Sequence, residues 1–280
     1  MFRAHAKINL GLYVVERRAD GYHNIETVFH RIALADTITL TPAPDIAVTS
    51  SSPEVPSDPT NICFKAAQLV RDRLGVSSGV HIDIEKKIPV GAGLGGGSAD
   101  AASVLRELPA FWGREVSGEA LRTLALQLGS DVPYFLASGS AFAGGRGELL
   151  DYFDLDVPFA ILLCYPNVHV ATGWAYAGIR PRRREGAEDL KLIVQAGMKH
   201  PETLASSLRN DFEPVVFAAH PAVREVKQKM IDAGALFALM SGSGSSVYGF
   251  FSDSNAAAAC ADPLRRRGYR THITDPHFRA

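Results

Sequence analysis

The sequence predicts a two-domain protein of mixed helices and sheets. Three observations predict it. The chain has 280 residues, more than one ordinary domain needs and enough for two. Stretches of two-residue hydrophobic alternation trade places with stretches of helical period along its length. The second half orders them as strand, helix, strand, strand, helix, strand. A division near residue 155 is expected, giving domains 1–155 and 156–280.

The elements follow in order. Ala6, Ile8, Leu10, Leu12 and Val14 alternate with Lys7, Asn9, Gly11 and Tyr13, which reads as a strand with one buried face. Asp20-Gly21 marks a turn. "HRIAL" and "DTITLTP" read as two further strands, and "TSSSPEVPSDPTN", with Pro53, Pro56 and Pro59, as a loop. "ICFKAAQLVRDRLG" has a helical apolar stripe closed by Gly75. "GVHIDIEKKIPVG" alternates again, with Val80, Ile82 and Ile84 on one side. A glycine loop comes next, then a helix carrying Ala102, Leu105 and Leu108, for which Ser98 is the expected cap. Another helix, near 118–128, stops at Gly129. The second half holds the strand "FAILLCYP", a basic loop, helices near 187–197 and 221–233, and the strand stretch "LFALMSGSGSSVYGFF". It closes with the helix "NAAAACADPLRRRG" and the strand "YRTHIT".

Composition narrows the function. Hydrophobic residues at 46% and charged residues at 21% describe a soluble globular chain. A net charge of −1 argues against a broad nucleic-acid surface. The basic runs at 180–184 and 265–267 read as solvated faces. Cys63, Cys164 and Cys260 follow no metal or redox spacing, which fits buried thiols in a reducing cytoplasm. "MFRAHAKINLGLYVV" lacks the apolar core of a signal peptide. No apolar run is long enough to span a membrane.

The most informative stretch is "PVGAGLGGGSADAA", residues 89–102. Gly91, Gly93, Gly95, Gly96 and Gly97 put five glycines into seven positions. Glycine loses the most freedom on folding, so bare backbone is needed there. A strand, then glycines, then a helix forms an anion cradle: several N–H groups point at one phosphate and the helix dipole adds to them. A tight packing turn would need one or two glycines, not five. Gly91-x-Gly93-x-x-Gly96 also fits the dinucleotide fingerprint, but no strand ending in an acid follows the helix. The Walker A pattern fails because Gly97 stands where its lysine belongs. The partner motifs of a protein kinase are absent.

This stretch resembles the second signature of the GHMP small-molecule kinases. "AKINLGLYV", "RRADGYHNIETVF", "GSDVPYFL", "AFAGGRGELL" and "SGSGSSVYGFF" extend the resemblance over residues 6–251, to the branch that acts on a cytidyl sugar alcohol. The resemblance implies an α+β, two-domain GHMP kinase fold. Its N-terminal domain is ribosomal S5 domain 2-like and its C-terminal domain ferredoxin-like. It implies a cytoplasmic enzyme, a monomer or weak homodimer, that uses ATP and Mg²⁺. The reaction it implies is phosphorylation of the 2-hydroxyl of 4-diphosphocytidyl-2-C-methyl-D-erythritol, in non-mevalonate isoprenoid precursor biosynthesis. Other readings are a homoserine- or mevalonate-type GHMP kinase, a dinucleotide-dependent oxidoreductase and an RNA-binding protein on an S5-like fold.

The resemblance also implies roles for particular residues. Pro89, Gly91, Ala92, Gly93, Leu94, Gly95, Gly96, Gly97 and Ser98 hold ATP. Gly242 and Gly244 match a third motif that closes on the site; from the residues alone a plain hairpin turn is the preferred reading. Asp131 matches the catalytic aspartate; from its place before Val132-Pro133 it also reads as a helix cap. Lys7 matches the catalytic lysine, expected beside Asp131; from the strand alone it reads as exposed. Asn9 shares its face and is expected to hold substrate. His23 reads the cytosine edge, and Tyr22 and Tyr176, with Thr172 nearby, complete a stacked base site. No metal ligand is identified.

Overall fold

In a computed structural model, residues 1–181 and 189–280 are described. They form two compact units, each assembled from separate stretches of chain. The first comprises Met1–Ala6, Ala35–Val90 and Gly95–Ser138. The second comprises Lys7–Leu34, Gly91–Leu94 and Gly139–Ala280.

Two long strands run through both sets of residues: β1 (Phe2–Arg17) and β2 (His23–Ala43). The two strands expected around Ala35 are therefore one. At the join, the Asp36 carboxylate is buried and takes backbone N–H groups from Lys87 and Ile88. With its polar group satisfied inside, the acid is tolerated within a continuous strand.

In the first unit, β3 (Ile46–Ser50) lies parallel to β4 (Gly79–Glu85), and β4 pairs antiparallel with the far half of β2. Val80, Ile82 and Ile84 are all buried, as their alternation predicts. Helix α1 (Ile62–Leu74) starts at Asn61, whose side chain accepts the Cys63 N–H, and ends at left-handed Gly75. Helix α2 (Gly96–Phe111) packs on α1 and on α3 (Gly118–Leu128), and a 3-10 turn at Val132–Leu136 closes the unit. Ala102, Leu105 and Leu108 are fully buried. Ser98 does not cap α2: the cap is Gly95, Ser98 lies inside the first turn, and no side chain bonds there.

In the second unit, the near half of β2 pairs antiparallel with β5 (Ser140–Gly144), and β5 with β6 (Leu149–Phe153); β1 also pairs with β2. Its second sheet contains β7 (Ala160–Tyr165). Helices α4 (Thr172–Ala177), α5 (Leu190–Gly197), α6 (Pro201–Ser207), α7 (Glu213–Ala219) and α8 (Pro221–Asp232) follow β7. Then come β8 (Phe237–Met240), β9 (Val247–Phe251), α9 (Ser254–Arg266) and β10 (Arg270–Thr274). The sheet is antiparallel in the order β10-β7-β9-β8, with α8 and α9 packed on it. This is the expected strand–helix–strand–strand–helix–strand unit. Met230, Phe251, Ala257 and Leu264 belong to its buried core. The stretch expected as one strand around Gly242 is a hairpin. Arg182, Arg183 and Arg184 of the basic loop, and the first two residues of the helix expected at 187–197, lie outside the described residues. Among the described residues no helix is long and apolar enough to cross a membrane.

Candidate active site

The glycine loop leaves β4 through Lys86–Ile88 and enters α2 at Gly95. The structure says which glycines packing demands. Gly93 has φ +78°, and a Cβ there would stand 2.1 Å from the Ser241 carbonyl oxygen. A Cβ on Gly91 would stand 2.4 Å from the His169 ring, and one on Gly96 2.8 Å from Ile88 Cγ2. Gly97 differs: it is exposed, and the nearest atom, Ile62 Cγ2, would lie at an ordinary 3.8 Å.

The third motif spans 241–246, between β8 and β9. It is a hairpin turn, and it also closes on the glycine loop. Ser246 donates its backbone N–H to the Ala92 carbonyl at 3.2 Å, and Ser241 Oγ donates to the Gly93 carbonyl at 2.9 Å. A Cβ on Gly242 would come within 2.8 Å of the Gly93 oxygen, and one on Gly244 within 2.8 Å of Met240 Sδ.

Lys7 arrives at the same carbonyl from β1. Its Nζ donates to Asn9 Oδ1 at 2.7 Å and to Gly93 O at 3.4 Å, and stands 5.0 Å from the Phe29 ring centroid. Its backbone N–H donates to Leu94 O. The side chain is not exposed, as the strand alone suggested; Lys7 and Asn9 are 4% and 1% accessible. Tyr13, on the same face, is buried too. The expectation of one buried face for β1 is thus corrected: both faces are covered, and the polar face carries a hydrogen-bonded cluster. Asn9 donates to Thr27 Oγ1, which donates to Gly11 O, and Tyr248 Oη donates to Asn9 O.

Asp131 belongs to the first unit, where it holds the cap position of the 3-10 turn. Its side chain makes no capping hydrogen bond.

The residues expected around a base lie in the second unit. The His23 and Tyr176 rings stack, with centroids 4.8 Å apart and planes 19° apart. Burial, with the nearby Arg17 charge, pushes the His23 pKa below its usual value, so the imidazole is neutral near pH 7 and able both to donate and to accept. Tyr22 is 56% exposed, with the Arg146 guanidinium 4.9 Å from its ring centroid. Its N–H donates to Asp20 Oδ1. Thr172 Oγ1 lies 3.1 Å from Ser243 Oγ in the third motif.

Sequence reasoning missed the group that shapes the third motif. Asn210 Nδ2 donates to Met240 O at 2.7 Å and Gly242 O at 2.8 Å, and Asn210 Oδ1 accepts the Phe212 N–H. Asp211 takes the Val14 N–H, and Glu213 the Met240 N–H. "NDFE" has no periodicity to flag it; the bonds that shape the hairpin run to residues distant in sequence.

Comparison with known proteins identifies the family. The pattern described as "GHMP kinases N terminal domain" matches residues 61–143, and "GHMP kinases C terminal" matches 190–270. The 4-diphosphocytidyl-2-C-methyl-D-erythritol kinase of Chlorobium limicola is 43% identical over 99% of this chain and 96% of its own. The chain belongs to the GHMP kinases. That of Prosthecochloris aestuarii is 44% identical over 99% and 97%. A crystal structure of 4-(cytidine 5'-diphospho)-2C-methyl-D-erythritol kinase superposes with a TM-score of 0.84, at 35% identity and 99% coverage of both chains. A homoserine kinase from Cytophaga hutchinsonii, at 19% identity and TM-score 0.70, covering 97% of this chain and 94% of its own, shares the fold. The protein is therefore a small-molecule kinase with the two-domain GHMP fold expected from its sequence.

Proposed function

We propose that this GHMP kinase transfers the γ-phosphoryl group of ATP to the 2-hydroxyl of 4-diphosphocytidyl-2-C-methyl-D-erythritol, releasing ADP and the hydroxyl proton. The observation that carries the reading is the buried Lys7 ammonium against the Gly93 carbonyl of the glycine loop. Phosphoryl transfer needs placed positive charge and oriented reactants more than covalent help, and Lys7 supplies a fixed cation beside the loop. The full-length relatives of that name support the acceptor.

In this reading, the N–H groups of the loop and the first turn of α2 hold the ATP phosphates. The bare edge at Gly97 suits close approach of a ligand. Gly242 and Gly244 keep the third motif thin enough to press on the loop. Lys7 stabilises charge on the transferring group; Asn9 orients the acceptor. Asp131 receives or orients the acceptor proton. Neutral His23 reads the cytosine edge, and Tyr22 and Tyr176 offer stacking faces at about 1–3 kcal/mol each. Among the described residues no cluster of three or more His, Cys, Asp or Glu could hold a metal. Mg²⁺ arriving with ATP would be held mainly by phosphate and water oxygens, and Ser98, in the first turn of α2, is the hydroxyl the loop itself offers. Bound there, it would neutralise phosphate charge. Three buried free thiols are consistent with a cytoplasmic site of action.

The test is ADP release with ATP, Mg²⁺ and 4-diphosphocytidyl-2-C-methyl-D-erythritol, with mevalonate and homoserine alongside. The cytidyl alcohol alone is expected to turn over. Asp131→Asn, checked for folding, is expected to lose about 10²–10⁴ in kcat. Turnover of another alcohol instead would overturn the acceptor assignment, and an unchanged mutant rate the role of Asp131.

A further inference from the structure

The glycine loop is flanked on both sides by residues tied to one buried ammonium. Lys86 Nζ lies 2.5 Å from Asp36 Oδ2 and 2.6 Å from Asp100 Oδ2, and none of the three side chains is more than 5% accessible. Asp36 comes from the middle of β2, Lys86 from the exit of β4, and Asp100 from the second turn of α2. Asp36 Oδ1 also takes the backbone N–H groups of Lys87 at 2.6 Å and Ile88 at 2.8 Å, just before the loop. On the far side, a Cβ at Gly96 would stand 3.2 Å from Lys86 Nζ and 2.8 Å from Ile88 Cγ2. Entry and exit of the loop are therefore packed on each other around the ammonium.

Fold stability alone does not call for this arrangement. Two carboxylates and one ammonium are taken out of water, and well-packed apolar side chains in such a place are often as stable or more so. One cost is visible: Asp100 Oδ1 is buried with no hydrogen-bond partner. What the trio supplies that apolar packing does not is direction. Short charged hydrogen bonds hold the loop's first residues and the start of α2 in one geometry.

We propose that Asp36, Lys86 and Asp100 are positioning residues for ATP. They fix the two ends of the loop so that its N–H groups are set before the phosphates arrive. This rests on the phosphate-binding reading of the loop.

The experiment compares wild type, Lys86→Met, Asp100→Leu and Asp100→Asn. ATP affinity is measured by calorimetry without acceptor, steady-state constants for both substrates by ADP release, and unfolding by heat. Lys86→Met and Asp100→Leu are expected to weaken ATP binding and raise its KM at least tenfold, while the KM of the acceptor stays within about twofold. Both are expected to remain folded. Asp100→Asn keeps an oxygen for Lys86 and is expected to recover most of the affinity. Folded variants that bind ATP as wild type does would overturn the proposal. A loss confined to Lys86→Met would overturn it as well, pointing to direct contact of Lys86 with the nucleotide. If Lys86→Met fails to fold, Asp100→Leu decides, because it frees α2 and leaves the Asp36–Lys86 pair intact. Wild type that binds no ATP would instead sink the kinase reading itself.

Discussion

The two glycine-rich turns of this kinase are held in opposite ways. The hairpin at 241–246 is shaped by a neutral amide with its bonds made: Asn210 spends both hydrogens of its Nδ2 on carbonyls and its oxygen on a backbone N–H. The glycine loop is flanked by a charged trio in which one carboxylate oxygen has no partner. Their glycines differ too. Gly93 and Gly242 are required because each lies against the backbone of the other turn; Gly97 is required by no neighbour. The lesson is that one sequence feature can serve two ends. Some glycines let the protein touch itself, and one leaves an open edge.

The largest effect should come from breaking the contact between the turns. Gly93→Ala drives a methyl into the Ser241 carbonyl at a left-handed φ, and a loss above about 4 kcal/mol is expected. Urea unfolding reads it; a loss under about 1 kcal/mol would refute the packing account. Asn210→Ala removes an amide from two buried carbonyls and one N–H. About 2–3 kcal/mol is expected, since those groups are left unsatisfied, and the loss should not vary between pH 5 and 8 because no charge is involved.

Gly97→Ala sharpens the comparison from the other side. Alanine in a helical turn gains up to about 1 kcal/mol over glycine, so stability should hold or rise slightly. The KM for ATP should rise severalfold. Unchanged kinetics would mean that the exposed edge is not used.

A pH-dependent effect separates the charged turn from the neutral one. Burial, opposed by Lys86 and reinforced by Asp36, pushes the Asp100 carboxyl up to about 7. A carboxyl with a folded pKa above its unfolded one binds its proton more tightly when folded. Its contribution to stability therefore falls as pH rises from about 4 to about 7 and is flat above. Asp100→Asn lacks this. The stability of the variant relative to wild type should climb across that window, no faster than about 1.4 kcal/mol per pH unit. A flat difference would show that Asp100 stays ionised throughout.

Much of this molecule was legible in its residues. Alternation placed β1 and β4, and helical spacing with Gly75 placed α1. Five glycines between a strand and a helix marked the loop, and motif order pointed to the family. These are local signals: a period or a bare backbone is written in neighbouring residues. Burial of Lys7 was not legible, because the strand pattern describes a polar face without saying what covers it. Nor was the continuity of β2 through Asp36, since an acid in a strand reads as a break until its partners, some fifty residues on, are in place. The stack of His23 on Tyr176 and the hold of Asn210 on Gly242 likewise join distant positions. Sequence alone determined many of the elements, the loop and the family, because each rests on patterns among near neighbours. Only the tertiary structure decided which polar side chains are buried and what they hold, because a hydrogen bond between distant residues leaves no period in the chain.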